Sequence, residues 1–340
     1  STTLLMLGSR VRAPKGAQNA EVRKNLGVFV IYDHNSIFED MARKKYELGI
    51  AFSGGGAKAA AHCGALQALK EYGVRPDVVS GTSAGSLVAA FFSAGFSPVQ
   101  MIEMFRELNF FRDIVAPSRP RGGLFDSTPL LELLQEKLPY TDIEELPIPT
   151  YIVAADMDHG RPKVFSKGRL APRLVASCSI PIVFKPMIIN GVHYVDGGVF
   201  QNLPVPAIRN TCEKVIAFSV RQMEPEPYRD NLVYVAMRAY SMMFMSNIMD
   251  ASRLADTYIE LNTDGCSVYD LSSIETLFRR GYSDACAALE ADGYERVMSP
   301  EKIEFPQLEM PSVRREPLFR RSLDRIERQL EIQKGRRRDK

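Results

Sequence analysis

The apolar positions of this chain fall into short unbroken runs that alternate with longer, helically spaced ones. Leu48–Phe52 is a strand-length apolar run that stops at Gly54-Gly55-Gly56. Ala59–Tyr72 has helical spacing and closes at Gly73, Val78–Ser80 is a second strand, and Ser86–Ala94 is a helix closed by Gly95. Ser97-Pro98 opens a helix to Leu108, with serine at the cap and proline in the first turn. Downstream, helices are predicted over Thr128–Leu138, Leu170–Cys178, Asn231–Leu254 and Ser283–Met298. Strands are predicted over Thr150–Ala155, Val192–Val195, Lys214–Val220 and Thr257–Leu261, and Phe111–Asp126 reads as a loop. Alternation of this kind predicts a mostly parallel central sheet with helices on both faces, a three-layer α/β/α fold.

The flanks follow other patterns. Residues 1–46 read as an N-terminal extension, irregular and mildly basic over the first twenty-five, with a strand at Leu26–Tyr32. Ser36 and Glu39 have capping-box spacing and predict a helix over Ser36–Tyr46. Residues 47–300 form the main domain. Residues 301–340 comprise a linker and a tail helix over Leu318–Lys334, where Leu318, Phe319, Leu323, Ile326, Leu330 and Ile332 alternate with arginines. This basic amphipathic pattern suits either the surface of an anionic membrane or packing against the main domain.

Composition adds compartment and exclusions. The chain has 340 residues, 45% hydrophobic and 25% charged, and a net charge of only +2. Ser312–Lys340 alone holds eleven Lys/Arg against five Asp/Glu, which leaves the remainder slightly acidic. Five cysteines without paired spacing argue for reduced thiols, hence a cytoplasmic protein that is peripheral at the membrane where the tail engages it. No apolar run approaches the ~20 residues of a spanning helix. The chain begins at Ser1, so an upstream targeting segment could have been removed.

The candidate chemistry sits at two strand-to-helix turns. Triple glycine at Gly54-Gly55-Gly56 frees backbone N–H groups to face an anion at a helix start. Gly81-Thr82-Ser83-Ala84-Gly85 matches the nucleophile elbow, in which a tight turn lifts a serine above the sheet. Alone, Gly-x-Ser-x-Gly arises by chance in roughly one chain in ten of this length, and Ser83 could simply cap a helix. An anion hole beside a nucleophile points to acyl transfer. Gly54-x-Gly56-x-x-Ala59 also fits a dinucleotide fingerprint. That reading needs an acidic residue after the second strand, where Ser80-Gly81 stands instead, and Asp77 precedes the strand.

A serine nucleophile needs a base. Of the four histidines only His159 and His193 follow Ser83, one in a polar turn and one on a short strand. Asp196 is the better candidate, because it ends a strand and Gly197-Gly198 lets the backbone bend sharply after it.

These motifs resemble the patatin-like phospholipases. The likeness rests on Ser53-Gly54-Gly55-Gly56-Ala57-Lys58 with His62 and Gly64, Gly81-Thr82-Ser83-Ala84-Gly85, and Asp196-Gly197-Gly198. Gly123-Leu124-Phe125, Leu146-Pro147-Ile148-Pro149, Ala155-Asp156 and Ala176-Ser177-Cys178-Ser179-Ile180-Pro181 stand between them in the order of bacterial members. The resemblance spans about residues 47–265. It implies a patatin-type fold and hydrolysis of phospholipid or other lipid esters by a Ser–Asp dyad. Ser83 then matches the nucleophile and Asp196 the base. Gly54, Gly55 and Gly56 match the oxyanion loop, Lys58 the basic position beside it, and His62 a buried helix position. Ala59 departs from the glycine usual after the basic residue. No cofactor, metal or nucleic acid is expected.

Alternatives stay open at several points. Lys58 either steers an anionic head group or lies solvated on the first helical turn. Met237, Met242, Met243, Met245 and Met249 either line an acyl groove or fill a core helix. Asp156 and Asp158 stand at a strand end with no further ligands clustered nearby in the sequence, which argues against a metal. A catalytically weak lipid-binding or regulatory protein of the same fold is the alternative function.

Overall fold

The structure, a computed structural model, describes residues 44–107, 122–220, 227–230, 232–268 and 271–301, and positions 225, 303 and 305. It also describes the backbone of short strands within residues 3–33 and at Ala116–Pro117. The predicted tail helix lies outside the described residues. Two compact units emerge, Ser1–Lys45 and Tyr46–Lys340. The first holds two antiparallel hairpins, Thr3–Met6 with Ser9–Arg12 and Ala20–Asn25 with Val28–Asp33. Three of those strands fall where an irregular start is expected: Ser9–Arg12 and Ala20–Asn25 alternate with charged residues, as in Arg10-Val11-Arg12, and Thr3–Met6 is only four residues long. Most of the predicted helix Ser36–Tyr46 lies outside the described residues, and Tyr46 itself opens a strand.

The second unit is an α/β sandwich built on an eight-stranded sheet. Five strands are mutually parallel: β1 (Tyr46–Phe52), β2 (Val78–Thr82), β3 (Thr150–Asp156), β7 (Cys212–Val220) and β8 (Thr257–Leu261). The other three, β4 (Arg161–Phe165), β5 (Met187–Ile189) and β6 (Val192–Asp196), are antiparallel additions beyond β3. β4 and β5 escape the apolar pattern because they are short and rich in polar or exposed positions.

Side-chain alternation divides the core in two. Ile50 and Phe52 of β1 and Ile216, Phe218 and Val220 of β7 point to one face. There they pack against α1 (Ala60–Glu71), α2 (Ala84–Ser93), α3 (Pro98–Glu107), α4 (Thr128–Lys137), α5 (Leu170–Cys178) and α8 (Ile274–Ala291). Ala51, Val215 and Ala217 point to the other face, where Ile248 and Ala251 of α7 (Leu232–Ser252) cover them. Helices on both sides of a mostly parallel sheet are the expected three layers.

Helix α8 starts nine residues before its predicted onset at Ser283. The interior Gly281 weakens the apparent helical pattern, yet it is required: a Cβ there would stand 2.0 Å from the Ala61 carbonyl of α1. The helices pack backbone to backbone, and this contact outweighs the low helix propensity of glycine. Among the described residues, no helix is long and apolar enough to cross a membrane.

Candidate active site

The sheet brings two chain ends face to face. One edge of β3 carries β4 along Ile152–Asp156. The other edge is shared, with β2 running parallel along Thr150–Val153 and β6 running antiparallel along Ala154–Asp156. β2 and β6 therefore abut end to end, Thr82 opposite Val153 and Asp196 opposite Ala154. Ser83 is the first residue beyond Thr82, so it turns out of the sheet where Asp196 arrives.

Ser83 has φ 53° and ψ −131°, a left-handed conformation that costs a non-glycine residue about 1–3 kcal/mol and is held only by its surroundings. It is followed at once by α2 and is 6% exposed. Gly85 is forced by its neighbour, since a Cβ would stand 2.4 Å from the Ser53 carbonyl. Gly54 is forced by Asn202 and Ser83, since a Cβ there would stand 2.5 Å from the Asn202 amide oxygen and 2.9 Å from the Ser83 Cβ. The glycine loop and the elbow are thus packed against each other, and the glycines that look like two motifs make one contact.

The loop is pinned from several sides. Ser53 N–H donates to the Phe218 carbonyl at 3.0 Å, and Ser53 Oγ accepts from Val220 N–H at 3.1 Å. His62 is fully buried, with its ring edge-on to Phe52, and its Nε2–H donates to the Ser53 carbonyl at 2.9 Å. Burial lowers its pKa to about 4, against the pull of the Ser53 carbonyl, so it is neutral and structural. Gly54 N–H donates to the Asn202 carbonyl at 3.1 Å. Of the three glycines proposed to line an anion hole, Gly54 is therefore committed to the fold. Among the described residues, Gly55 and Gly56 have no backbone acceptor for their N–H groups. Lys58 is 3% exposed, so the solvated alternative does not hold.

Asp196 is completely buried. Its Oδ1 accepts from Gly198 N–H at 2.8 Å, and Oδ2 has no hydrogen-bond partner of ordinary length. Burial raises its pKa to about 7, while the Ser83 hydroxyl, the Gly198 N–H and the Tyr240 hydroxyl pull the other way. An open oxygen on a carboxylate tuned near neutrality, beside a serine hydroxyl, is a competent proton acceptor. Cys178 lines the same space, but burial and the Asp196 charge push its thiol pKa up, so it stays protonated and a poor nucleophile.

The two histidines that follow Ser83 in sequence pair with other carboxylates. His159 Nδ1 lies 2.9 Å from Asp156, and His193 Nδ1 lies 3.1 Å from Asp158, at the far end of the hairpins. Asp77 accepts from the N–H groups of Glu47 and Leu48 and fastens two strand starts. Among the described residues no cluster could hold a metal ion.

Beside Ser83 opens an apolar cavity lined by Leu87, Phe91, Phe105, Leu130, Leu134 and Phe184, among others. The methionines of α7 do not line it. Met242, Met243, Met245 and Met249 are exposed on the outer side of the helix, and neither the groove nor the core alternative describes them. The inner side of α7 carries residues that sequence reasoning missed. Asn247 accepts from Asn202 N–H and donates to the Gly198 carbonyl, both at 2.8 Å, bracketing the turn after Asp196. Tyr240 faces Asp196. The available signal was an amide set within Met243-Phe244-Met245-Ser246-Asn247-Ile248-Met249, an apolar run with no charge.

Residues 50–208 match the model of the patatin-like phospholipase family. An uncharacterized NTE family protein of Mycobacterium tuberculosis is 30% identical over 186 residues, 54% of this chain and 51% of the relative. Lysophospholipase NTE1 of Mycosarcoma maydis is 29% identical over 218 residues, 58% of this chain and 11% of that protein. The chain spans about half the length of the first of these relatives. Among solved structures, VipD of Legionella pneumophila aligns over 80% of this chain and 70% of its own, at 15% identity and a TM-score of 0.42.

Proposed function

We propose that the chain is a lipid acyl hydrolase in which Ser83 attacks an ester carbonyl and Asp196 takes its proton. The observation that carries this reading is the end-to-end meeting of β2 and β6, which sets a strained serine against a buried carboxylate with one open oxygen. The match to the patatin-like phospholipase family supports ester-hydrolase chemistry, and the apolar cavity beside Ser83 fits an acyl chain.

The steps follow from the groups present. Asp196, ionised above its raised pKa, accepts the Ser83 hydroxyl proton as Oγ adds to the carbonyl carbon. The Gly55 and Gly56 N–H groups receive the oxyanion, at the N-terminal side of the following helix. Asp196 then gives its proton to the leaving alcohol. It next takes one from water as that water adds to the acyl-serine, and returns it to Ser83 Oγ as the ester bond breaks and the fatty acid leaves. Lys58 lies buried in the helical turn that follows the loop. The basic tail recruits the protein to an anionic lipid surface.

The test is hydrolysis of a panel of phospholipids and neutral esters, with products identified by mass and Ser83→Ala in parallel. Fatty acid release by the wild type and not by Ser83→Ala supports the reading. A wild type that binds lipid, releases none, and leaves a fluorophosphonate unreacted is instead a lipid-binding protein of this fold.

A further inference from the structure

The elbow poses a backbone problem that the sheet does not solve. β2 stops pairing at Thr82, opposite Val153. β6 takes over the same edge at Ala154. At that break the Ser83 N–H is buried and has no strand partner, and the Val153 carbonyl faces the same gap. A buried, unpaired backbone group costs about 1–3 kcal/mol.

One side chain occupies the break. Ser177, fully buried near the end of α5, accepts from Ser83 N–H through its Oγ at 2.8 Å. The same hydroxyl donates its proton to the Val153 carbonyl at 2.6 Å. Two residues on, the Ser179 carbonyl accepts from Asp196 N–H at 2.9 Å. Ser179 is itself fastened, its Oγ donating to the Val175 carbonyl at 2.8 Å. Gly197 completes the packing, since a Cβ there would stand 2.3 Å from the Val153 carbonyl. A three-residue segment, Ser177 to Ser179, therefore holds the backbone of Ser83 at one end and that of Asp196 at the other.

We propose that Ser177 is a positioning residue that sets the elbow's strained geometry and, with the Ser179 carbonyl, the spacing of Ser83 and Asp196. This rests on the dyad reading above. Ser177 touches no reacting atom. Among the described residues its hydroxyl is the side-chain group that accepts from Ser83 N–H, and helix α5 carries it as a rigid arm. Loss of the hydroxyl lets Ser83 relax toward an ordinary backbone conformation and turns Oγ away from Asp196. Ground-state binding in the apolar cavity is untouched, so the defect falls on kcat.

The experiment compares wild type with Ser177→Ala, Ser177→Cys and Ser83→Ala on a short-chain p-nitrophenyl ester. Circular dichroism and thermal melts report folding. Ser177→Ala is expected to lose about tenfold or more in kcat with KM within about twofold, the mark of a transition-state defect. Ser177→Cys, nearly isosteric but a weak hydrogen-bonding group, is expected to fold and to lose several-fold in kcat. Wild-type kcat in a folded Ser177→Ala protein overturns the proposal. Where Ser177→Ala does not fold, wild-type kcat in Ser177→Cys overturns it equally. An active Ser83→Ala would instead overturn the dyad, so the two failures are distinct.

Discussion

Ser83 and Asp196 share one buried junction and reach it by opposite routes. Ser83 arrives on two consecutive strand–helix units, β1–α1 and β2–α2, and the glycines that pack on it come from the same stretch. Asp196 arrives on an antiparallel strand that borrows the unused end of β3, held there by Ser179, Asn247 and Gly198 from three separate segments. The proposed nucleophile is placed by local chain pattern, the proposed base by long-range register. Small changes should therefore act differently on the two sides: near Ser83 they alter charge stabilisation, near Asp196 they alter the cost of keeping a carboxylate dry.

The largest effect expected on the nucleophile side comes from Gly55→Ala. It perturbs an N–H proposed to receive the oxyanion, and kcat should fall by about 10²-fold with little change in KM. Steady-state kinetics on a soluble ester checks this. A change confined to KM would mean that the loop holds substrate and not developing charge.

On the base side the expected effect is on stability. The Asp196 carboxyl is raised from 3.8 to about 7, so the folded state binds this proton more tightly than the unfolded chain. Its ionisation cost is felt in full above pH 7, where it amounts to about 4 kcal/mol. The cost shrinks as pH falls from 7 toward 4 and is gone below that. Asp196→Asn mimics the neutral acid and keeps an acceptor for Gly198 N–H. Urea unfolding should show it more stable than wild type at pH 8 and equal to it near pH 4. An Asn variant less stable at pH 8 would mean that the carboxylate is not penalised by burial.

The same contrast explains what was legible from sequence. Gly54, Gly56, Ser83 and Gly85 lie in one short stretch, and the three layers follow from period-two and helical patterns such as Ile50/Ala51/Phe52. Asp196 was readable as a strand-end carboxylate before two glycines, but its burial and its meeting with Ser83 depend on how β3 shares an edge, which no local pattern encodes. Asn202, Ser177 and Asn247 act through backbone contacts between distant segments and leave only an isolated polar residue in an apolar context. Gly54 shows the reverse case, a residue whose motif was legible while its N–H proved to be spent on Asn202. Gly281 hid the start of α8 because tertiary packing, not propensity, chose it.

The smallest effects are expected away from both sides. Deleting residues 317–340 should weaken co-sedimentation with vesicles containing anionic lipid, because cations near such a surface contribute about 1 kcal/mol each. Turnover of a soluble ester should barely change. Equal sedimentation with and without the tail would remove it from membrane recruitment.

The central claim, that a buried aspartate activates Ser83, is tested most directly by the pH dependence of fluorophosphonate labelling, followed by intact mass. The wild type and a His159→Ala/His193→Ala variant should both label Ser83 at a rate that climbs with pH through about 7 and then levels, as Asp196 loses its proton. Asp196→Asn should label at least about 10²-fold more slowly across the range. Wild-type labelling by Asp196→Asn, or loss of labelling in the folded double-histidine variant, would contradict the account.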